Sequence, residues 1–515
     1  MKKQASVQIV NRQSPIHSFL ITRRQAVGGF AALAASSVLP DFSSGLAAAA
    51  FPAPENNPQP KPAGPLTQAV LTVKATSAGA IEPYFPGLSY EKNTLYEPLF
   101  TPSNADLIGL FRRLGLGVLR IGGNSVERNV WTPGGAGQTS GQIAPSDVDA
   151  LAGFVKASGW KCLYGVNLEG IAHGTTSPEL AADEVVYAAK QLGPSLLGIE
   201  IGNECDIYGH PQNAFAGHWS LGQFIDLWER FRKAILAKTP GVAVTGPASA
   251  SNYEKWTIPF GKTVTSNQIT LLTQHYYRGN GRLPISTAEF LVTPDPKLEK
   301  ELAALDAAAK EIGVPYRMAE CNSYYHGGAN GVSDSYASSL WVIDFLFDCA
   351  LNRASGINLH GGGNGGGYTP IANDHGRVVE ARPEYYGLLL FTLAGQGELY
   401  AANLSAGGLN ATAYAVKPAS GGLNLVVVNK DLKQNLELTA HLPHRARSAR
   451  LLALTQLSSG TAEPELLAHS GVTIQGAAVQ PDGSFSPSPA YSVGARGSEV
   501  KCYVPALSAA LIQVV

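Results

Sequence analysis

The chain has 515 residues, 45% hydrophobic and 15% charged, which is enough apolar material for more than one core and predicts two structural domains plus processing segments. Its 38 basic and 39 acidic residues leave a net charge of -1 with no long basic run, so charge gives no support to nucleic acid, a membrane surface or an extended polyanion groove as partner. The five cysteines, at 162, 205, 321, 349 and 502, show no C-x-x-C spacing, which argues against a zinc or dithiol centre, and an odd count leaves at least one thiol free.

Residues 1–50 read as an export signal: a basic segment with Arg23 and Arg24, an apolar run from Ala26 to Leu39, and an alanine-rich stretch before Phe51. Thr22-Arg23-Arg24 resembles a twin-arginine signal, with Ala26 and Val27 where that motif usually has Phe and Leu. The apolar run is too short and too rich in small residues to span a bilayer, so the expectation is an exported protein, periplasmic or secreted, with no membrane attachment after signal removal. Residues 51–66 are proline-rich and aperiodic, an extended linker. Leu66 to Thr76 then alternates apolar and polar residues, and a strand over 67–80 is expected to join a later β domain.

From 81 to 393, strand and helix signals alternate, the mark of βα units around a parallel sheet. Eight strands are predicted: Gly87 to Glu91, Val118 to Gly122, Cys162 to Asn167, Leu197 to Gly202, Ala243 to Pro247, Ile269 to Tyr276, Tyr316 to Glu320 and Gly356 to His360. Helical spacing of apolar residues fills most intervals, as in Pro178 to Leu192, Leu221 to Lys238 and Pro296 to Ile312. Eight such units predict an α/β fold of the (β/α)8 TIM-barrel type. Over 394–515 the pattern changes to short strands separated by Gly, Asn and Asp, which predicts an appended C-terminal β-sandwich.

Two carboxylates stand where chemistry sits in such a barrel. Glu204 follows the fourth strand in LLGIEIGNECD, and Glu320 ends the seventh in YRMAECNSYYHGG. Glycosidic cleavage needs one carboxyl to protonate the leaving oxygen and a second to attack or stabilise the sugar cation, and strands four and seven face each other across a barrel mouth. A separation of roughly 5 to 5.5 Å would make the second a nucleophile and retain configuration. On this reading Glu204 is the acid and Glu320 the nucleophile. Asn203 is placed to bond a sugar hydroxyl, and Tyr276, at the predicted end of strand six, to donate to the Glu320 carboxylate and keep it ionised. Taken singly, each has a structural explanation: a capping carboxylate, a core tyrosine, aromatic packing at the rim.

Together, IGNE, QHYY, AECNSYYHGG and the glycine-rich segment ending in Tyr368, on a barrel-plus-sandwich layout, resemble glycoside hydrolase family 79, the group of bacterial β-glucuronidases and heparanases. That resemblance implies acid/base Glu204 and nucleophile Glu320, with Tyr325, Gly327 and Tyr368 receiving the carboxylate of a glucuronic acid. It also places Glu91, Asn124 and His360 at other sugar-contacting positions. Tyrosine hydroxyls and the free N–H groups of a glycine run can bind an anion without a formal positive charge.

The function expected is therefore a retaining exo-β-glucuronidase acting on a carbohydrate with terminal β-linked glucuronic acid, without cofactor. The histidines at 173, 210, 275, 326 and 360 include no i, i+4 pair with a carboxylate partner, so no metal is expected. GGGNGGG, 361–367, lacks the Lys-Ser pair of a phosphate loop and reads instead as an active-site loop. Two alternatives remain: an endo-acting, heparanase-like hydrolase, for which Arg278, Arg282 and Arg377 supply no basic line, and a non-catalytic carbohydrate-binding barrel, which would have no need of both glutamates.

Overall fold

A computed structural model describes residues 57–457 and 464–515, so the expected export signal and the first part of the linker lie outside the described residues. The end of the linker is fixed along the β domain: Asn57 Nδ2 donates to the Pro489 carbonyl at 3.0 Å and Gln59 Nε2 to that of Tyr503 at 2.7 Å. No helix among the described residues is long and apolar enough to cross a membrane.

Eight parallel strands close into a barrel: Gly87–Glu91, Val118–Gly122, Lys161–Val166, Leu196–Ile201, Val244–Ser249, Leu271–Asn280, Tyr316–Tyr325 and Ile357–Gly361. Each pairs with its neighbours in sequence, and Leu359 opposite Leu88 closes the ring. The TIM barrel expected from the alternating pattern is therefore present. Its helices carry their own boundaries. Ser177, Ser220 and Asp295 accept an N–H from the first turn of Pro178–Leu192, Leu221–Lys238 and Pro296–Ile312, and Gly313, at φ 79°, ends the last in a left-handed turn that costs glycine nothing.

Two bulges shape the barrel mouth. On the seventh strand Met318 lies opposite Gln274 and Glu320 opposite the next residue, His275, so one extra residue is inserted just before the candidate nucleophile. On the fifth, Pro247 and Ser249 face the consecutive Thr273 and Gln274, leaving Ala248 as the extra residue, at φ 55°. Bulges bend a strand and redirect the side chain that follows, which is why they recur beside active sites.

Ten strands form the second domain, in one sheet that includes Leu66–Ile81. That strand runs parallel to Asn435–His441 and antiparallel to Gly397–Ser405. Pairing of Ala449–Gln456 with Ser508–Val514 joins the two layers at their edges, so the sheet closes around its own core of Leu71, Leu425, Val427, Leu438, Val504 and Ile512. The helices Tyr336–Leu351 and Pro383–Ala394 are apolar on nearly every face because barrel and β domain cover opposite sides of them. At that junction Phe347 stacks on Tyr414 with centroids 4.2 Å apart, and Asp344 pairs with Lys430 while accepting the hydroxyls of Thr412 and Tyr414. A stacked pair of this kind adds about 0.5–1.5 kcal/mol beyond the area it buries.

Candidate active site

The second strand reads VLRIG and the fourth LLGIEI, and each places one charged residue in a run that is otherwise buried and apolar. A buried charge must be paired, and these two meet: Arg120 Nε donates to Glu200 Oε2 at 2.7 Å. The rest of the guanidinium fork organises the barrel mouth. Nη1 donates to Glu320 Oε2 at 2.7 Å and to Ser89 Oγ at 3.2 Å, and Nη2 to Asn203 Oδ1 at 2.9 Å. Nη2 also lies 3.2 Å from His275 Nε2. The other Glu320 oxygen accepts the Tyr277 hydroxyl at 2.8 Å.

Glu204 leaves the fourth strand in the left-handed region, φ 51° and ψ 44°, and its N–H donates to the carbonyl of the bulged Ala248 at 2.8 Å. Glu127 supports this turn from beneath. One of its carboxylate oxygens accepts the Asn203 N–H at 2.8 Å and the Tyr208 hydroxyl, and the other accepts the N–H groups of Leu168 and Glu169. Burial pushes the Glu127 carboxyl up to about 7, against the pull of those four donors toward the ionised form. The result places a Glu204 carboxyl oxygen, a ring nitrogen of His275 and a Glu320 oxygen within 4.8 Å of one another.

The two carboxyls occupy opposite electrostatic environments. Burial, reinforced by the charges of Glu320 and Asp206, pushes Glu204 up to about 8. Burial would also raise Glu320, but His360, His275, Arg120 and the Tyr277 hydroxyl outweigh it and hold this carboxyl well below the usual range. Burial pushes His275 down to about 4, so its ring is neutral near pH 7. Because Arg120 can only donate, His275 Nε2 accepts, and the proton sits on Nδ1, which donates to Glu204 Oε1 at 3.3 Å. His360 stands between two carboxylates, 3.7 Å from Glu91 and 3.8 Å from Glu320. Their charges raise its pKa despite burial. Glu204, His275 and Glu320 have the spacing of a cation site, yet Arg120 already occupies the Glu320 oxygen and Nδ1 of His275 carries a proton. That donor set suits proton transfer better than metal binding.

The structure gathers most of the residues picked from sequence. Asn203 is committed to Arg120 and, through Nδ2, to Asn124 Oδ1 at 3.4 Å. The Glu91 carboxylate accepts the N–H groups of Asn124 and Ser125. Tyr368 packs 5.8 Å from Tyr277 with its hydroxyl 3.4 Å from that of Tyr277, and Tyr325, 40% exposed, stands edge-on to the same ring. Gly327 accepts the Tyr368 N–H at 3.2 Å, and open space surrounds its α-carbon on the side where a Cβ would lie.

Tyr276 is the correction. Its hydroxyl bonds Asp295 and its ring stacks on Phe345 of a surrounding helix, on the outer face of the barrel wall. The sixth strand continues to Asn280, and side chains alternate along it, so His275 and Tyr277 face the mouth while Tyr276 faces away. Tyr277 makes the bond to Glu320 that was expected of Tyr276. Arg120, Glu200, Ser89 and Glu127 were not picked from sequence; the signal for the first two was one Arg and one Glu inside otherwise apolar strands. All five thiols are buried, and burial raises those of Cys205 and Cys321, which makes either a poor nucleophile.

No family model matches the chain. It is 24% identical over 347 residues to a β-glucuronidase of Aspergillus niger, covering 60% of this chain and 63% of that protein. A β-glucuronidase of Neurospora crassa is 24% identical over 273 residues, 48% of this chain and 47% of that one. The chain thus spans less than two thirds of the length of either relative. A 4-O-α-L-rhamnosyl-β-D-glucuronidase from Fusarium oxysporum superposes with a TM-score of 0.71 at 16% identity, over 86% of this chain and all of that one. A family 51 arabinofuranosidase from Xanthomonas axonopodis pv. citri gives 0.61 at 16% identity, over 87% of this chain and all of that one. These structural likenesses establish the shared fold, a barrel with a β domain.

Proposed function

We propose that this protein is a retaining exo-β-glucuronidase, with Glu204 as acid/base and Glu320 as nucleophile. The observation that carries the reading is the division between the two carboxyls at the mouths of strands four and seven. One is held protonated near neutral pH, the other ionised, with oxygens within 4.8 Å. A direct nucleophile needs carboxyls roughly 5–5.5 Å apart, whereas a mechanism that admits water between them needs about 6.5–9.5 Å. In the first step Glu320 attacks the anomeric carbon while Glu204 gives its proton to the departing oxygen; in the second, Glu204 removes a proton from water as the ester to Glu320 breaks.

Glucuronic acid as the sugar is supported by the names of both sequence relatives. It is supported also by the convergence of Tyr325, Tyr368 and the open backbone at Gly327, which offers neutral donors to a carboxylate. Exo action is supported by the basic residues noted in the sequence: Arg278 is buried against Asp295 at 3.0 Å, and Arg282 and Arg377 belong to different segments, the turn after strand six and the strand Arg377–Ala381. The twin-arginine-like segment supports an exported enzyme.

Proton NMR of early products from an aryl β-glucuronide tests the mechanism, with β-glucuronic acid expected first; α-product would exclude retention. Digestion of a uronic-acid polysaccharide tests the mode of attack, with monosaccharide expected and internal oligosaccharides pointing to the endo alternative. A 4-O-rhamnosyl glucuronide belongs in the same panel, because the Fusarium enzyme is named for that substrate.

A further inference from the structure

The segment Gly361–Gly367, which begins on the last residue of the eighth barrel strand, has seven residues, six of them glycine, yet it must deliver Tyr368 to a fixed place beside Tyr277. Glycine-rich backbone has the most conformational freedom to lose, so something must supply the order. One side of the loop rests on the turn after strand seven. Tyr368 N–H donates to Gly327 O, and a Cβ on Gly367 or Gly366 would fall 1.8 Å from Gly327 O or 2.1 Å from Asn330 Oδ1.

The other side is held by Arg382, the residue that precedes the helix Pro383–Ala394. It is 7% exposed, and its guanidinium reaches into the loop: Nη1 donates to Gly365 O at 2.7 Å and Gly367 O at 3.4 Å, and Nη2 to Asn364 Oδ1 at 3.0 Å. Its own N–H donates to Pro370 O at 2.9 Å, so Arg382 holds the chain from Asn364 to Pro370, while the N–H groups of Gly362 and Gly363 are held by Thr369 Oγ1 and Asn373 Oδ1.

We propose that Arg382 is a positioning residue, holding the glycine-rich loop in the one shape that sets Tyr368 against Tyr277 and the sugar. It touches neither carboxyl of the candidate pair. The planar fork is what the task requires, because it meets two carbonyls and an amide at once, which the point charge of a lysine cannot do. The kinetic consequence rests on the glucuronidase reading; the structural one does not.

The test uses the full-length protein as wild type, Arg382→Lys, Arg382→Ala and Asn364→Ala. Hydrogen exchange should quicken at the amides of 362–368 in both Arg382 variants while the barrel strands keep their protection. With nitrophenyl glucuronide, KM should rise about tenfold and kcat change far less, as charge-assisted bonds that order the binding loop are lost. Turnover of the matched glucoside should hardly move. Asn364 is exposed, so Asn364→Ala keeps the fold and should shift the glucuronide KM the same way by about two- to threefold, the loss of one bond of the three. Unchanged loop exchange in a folded variant, or equal losses on both substrates, would overturn the proposal. If wild type hydrolyses neither glycoside, the functional reading has failed and exchange alone decides the role of Arg382. If the Arg382 variants do not fold, Asn364→Ala decides it.

Discussion

Replacing Tyr277 with phenylalanine removes one oxygen and nothing else from the wall of the site. That oxygen donates to Glu320 at 2.8 Å, inside a buried network where, among the described residues, no other hydroxyl is hydrogen-bonded to the same carboxylate oxygen. A hydrogen bond to a charged group contributes about 1.5–3 kcal/mol, so kcat/KM for an aryl glucuronide should fall about 10- to 150-fold. The bond lowers the pKa of Glu320, so its loss raises that pKa and moves the acidic limb of the pH profile toward neutrality. Tyr276→Phe is the control, one residue away and on the other face of the strand. It removes a bond to Asp295 behind the barrel wall and should lower the thermal midpoint while leaving the acidic limb in place. Stopped assays across pH on both variants, with thermal unfolding alongside, make the comparison. A larger kinetic loss in Tyr276→Phe, or an unmoved acidic limb in Tyr277→Phe, would refute the placement of the two tyrosines.

Glu204→Gln and Glu320→Gln should both lose most activity, but only the former should recover on substrates with activated aryl leaving groups, since such groups depart without a proton; equal loss on 2,4-dinitrophenyl glucuronide would reverse the assignment. Tyr325→Phe and Tyr368→Phe should each cost the glucuronide about 1.5–3 kcal/mol in kcat/KM and the matched glucoside much less, and the ratio of the two substrates is the measurement. Glu384 is buried with one oxygen on Asn322 and the other without a partner among the described residues, and burial pushes it up to about 8. A carboxyl whose pKa is raised by folding favours the folded state most below its unfolded pKa and loses that advantage as pH rises toward the folded value. Glu384→Gln should therefore melt higher than wild type at pH 9 and no higher at pH 5.

The architecture was legible because strand and helix periods alternate strongly and because Ser177, Ser220, Asp295 and Gly313 punctuate the helices where they occur. Glu204 was legible for a related reason: a polar residue directly after an apolar strand has few places to go but the barrel mouth. Glu320 was found although the seventh strand runs five residues past its predicted end, which places this carboxyl in mid-strand beside the bulge. Parity was not legible. The sixth strand runs four residues past its predicted end, so Tyr276 looked terminal when it is an outward-facing residue in mid-strand. Nor were the bulges at Ala248 and before Glu320, since an extra residue in one strand shows only against its partners. Arg120 and Glu200 are the instructive miss. Each breaks an apolar run, and a buried charge demands an opposite one, so the sequence itself implies their pairing. The strands Gly397–Ser405, Tyr491–Arg496 and Glu499–Val504 went unread because small and polar residues interrupt their alternation, and sheet pairing overrides that weak local signal.

Strand four and the turn after it carry two glutamates only four residues apart, and on the proposed retaining reading their difference explains how one site would run both halves of the reaction. Arg120 is a single positive charge bonded to two negative ones, Glu200 and Glu320. Glu204 turns out of the strand beyond hydrogen-bond reach of the fork, where burial first, and then the charges of Glu320 and Asp206, raise its pKa against the opposing charges of Arg120 and His360, so that it takes up a proton. For the free enzyme this places the basic limb of kcat/KM near pH 8, where Glu204 loses that proton. Formation of the glycosyl ester removes the charge of Glu320, and with it the largest electrostatic cause of the elevation. The Glu204 pKa must then fall, leaving a carboxylate that can deprotonate water. Trapping the ester with a 2-fluoro glucuronide and titrating 13C-labelled glutamate by NMR should show Glu204 dropping from about 8 by at least about one unit, the response expected when a like charge beside it is neutralised. A titration unchanged by the trap would mean that burial and Asp206 set Glu204, and that the closeness of Glu320 plays no part in switching it from acid to base.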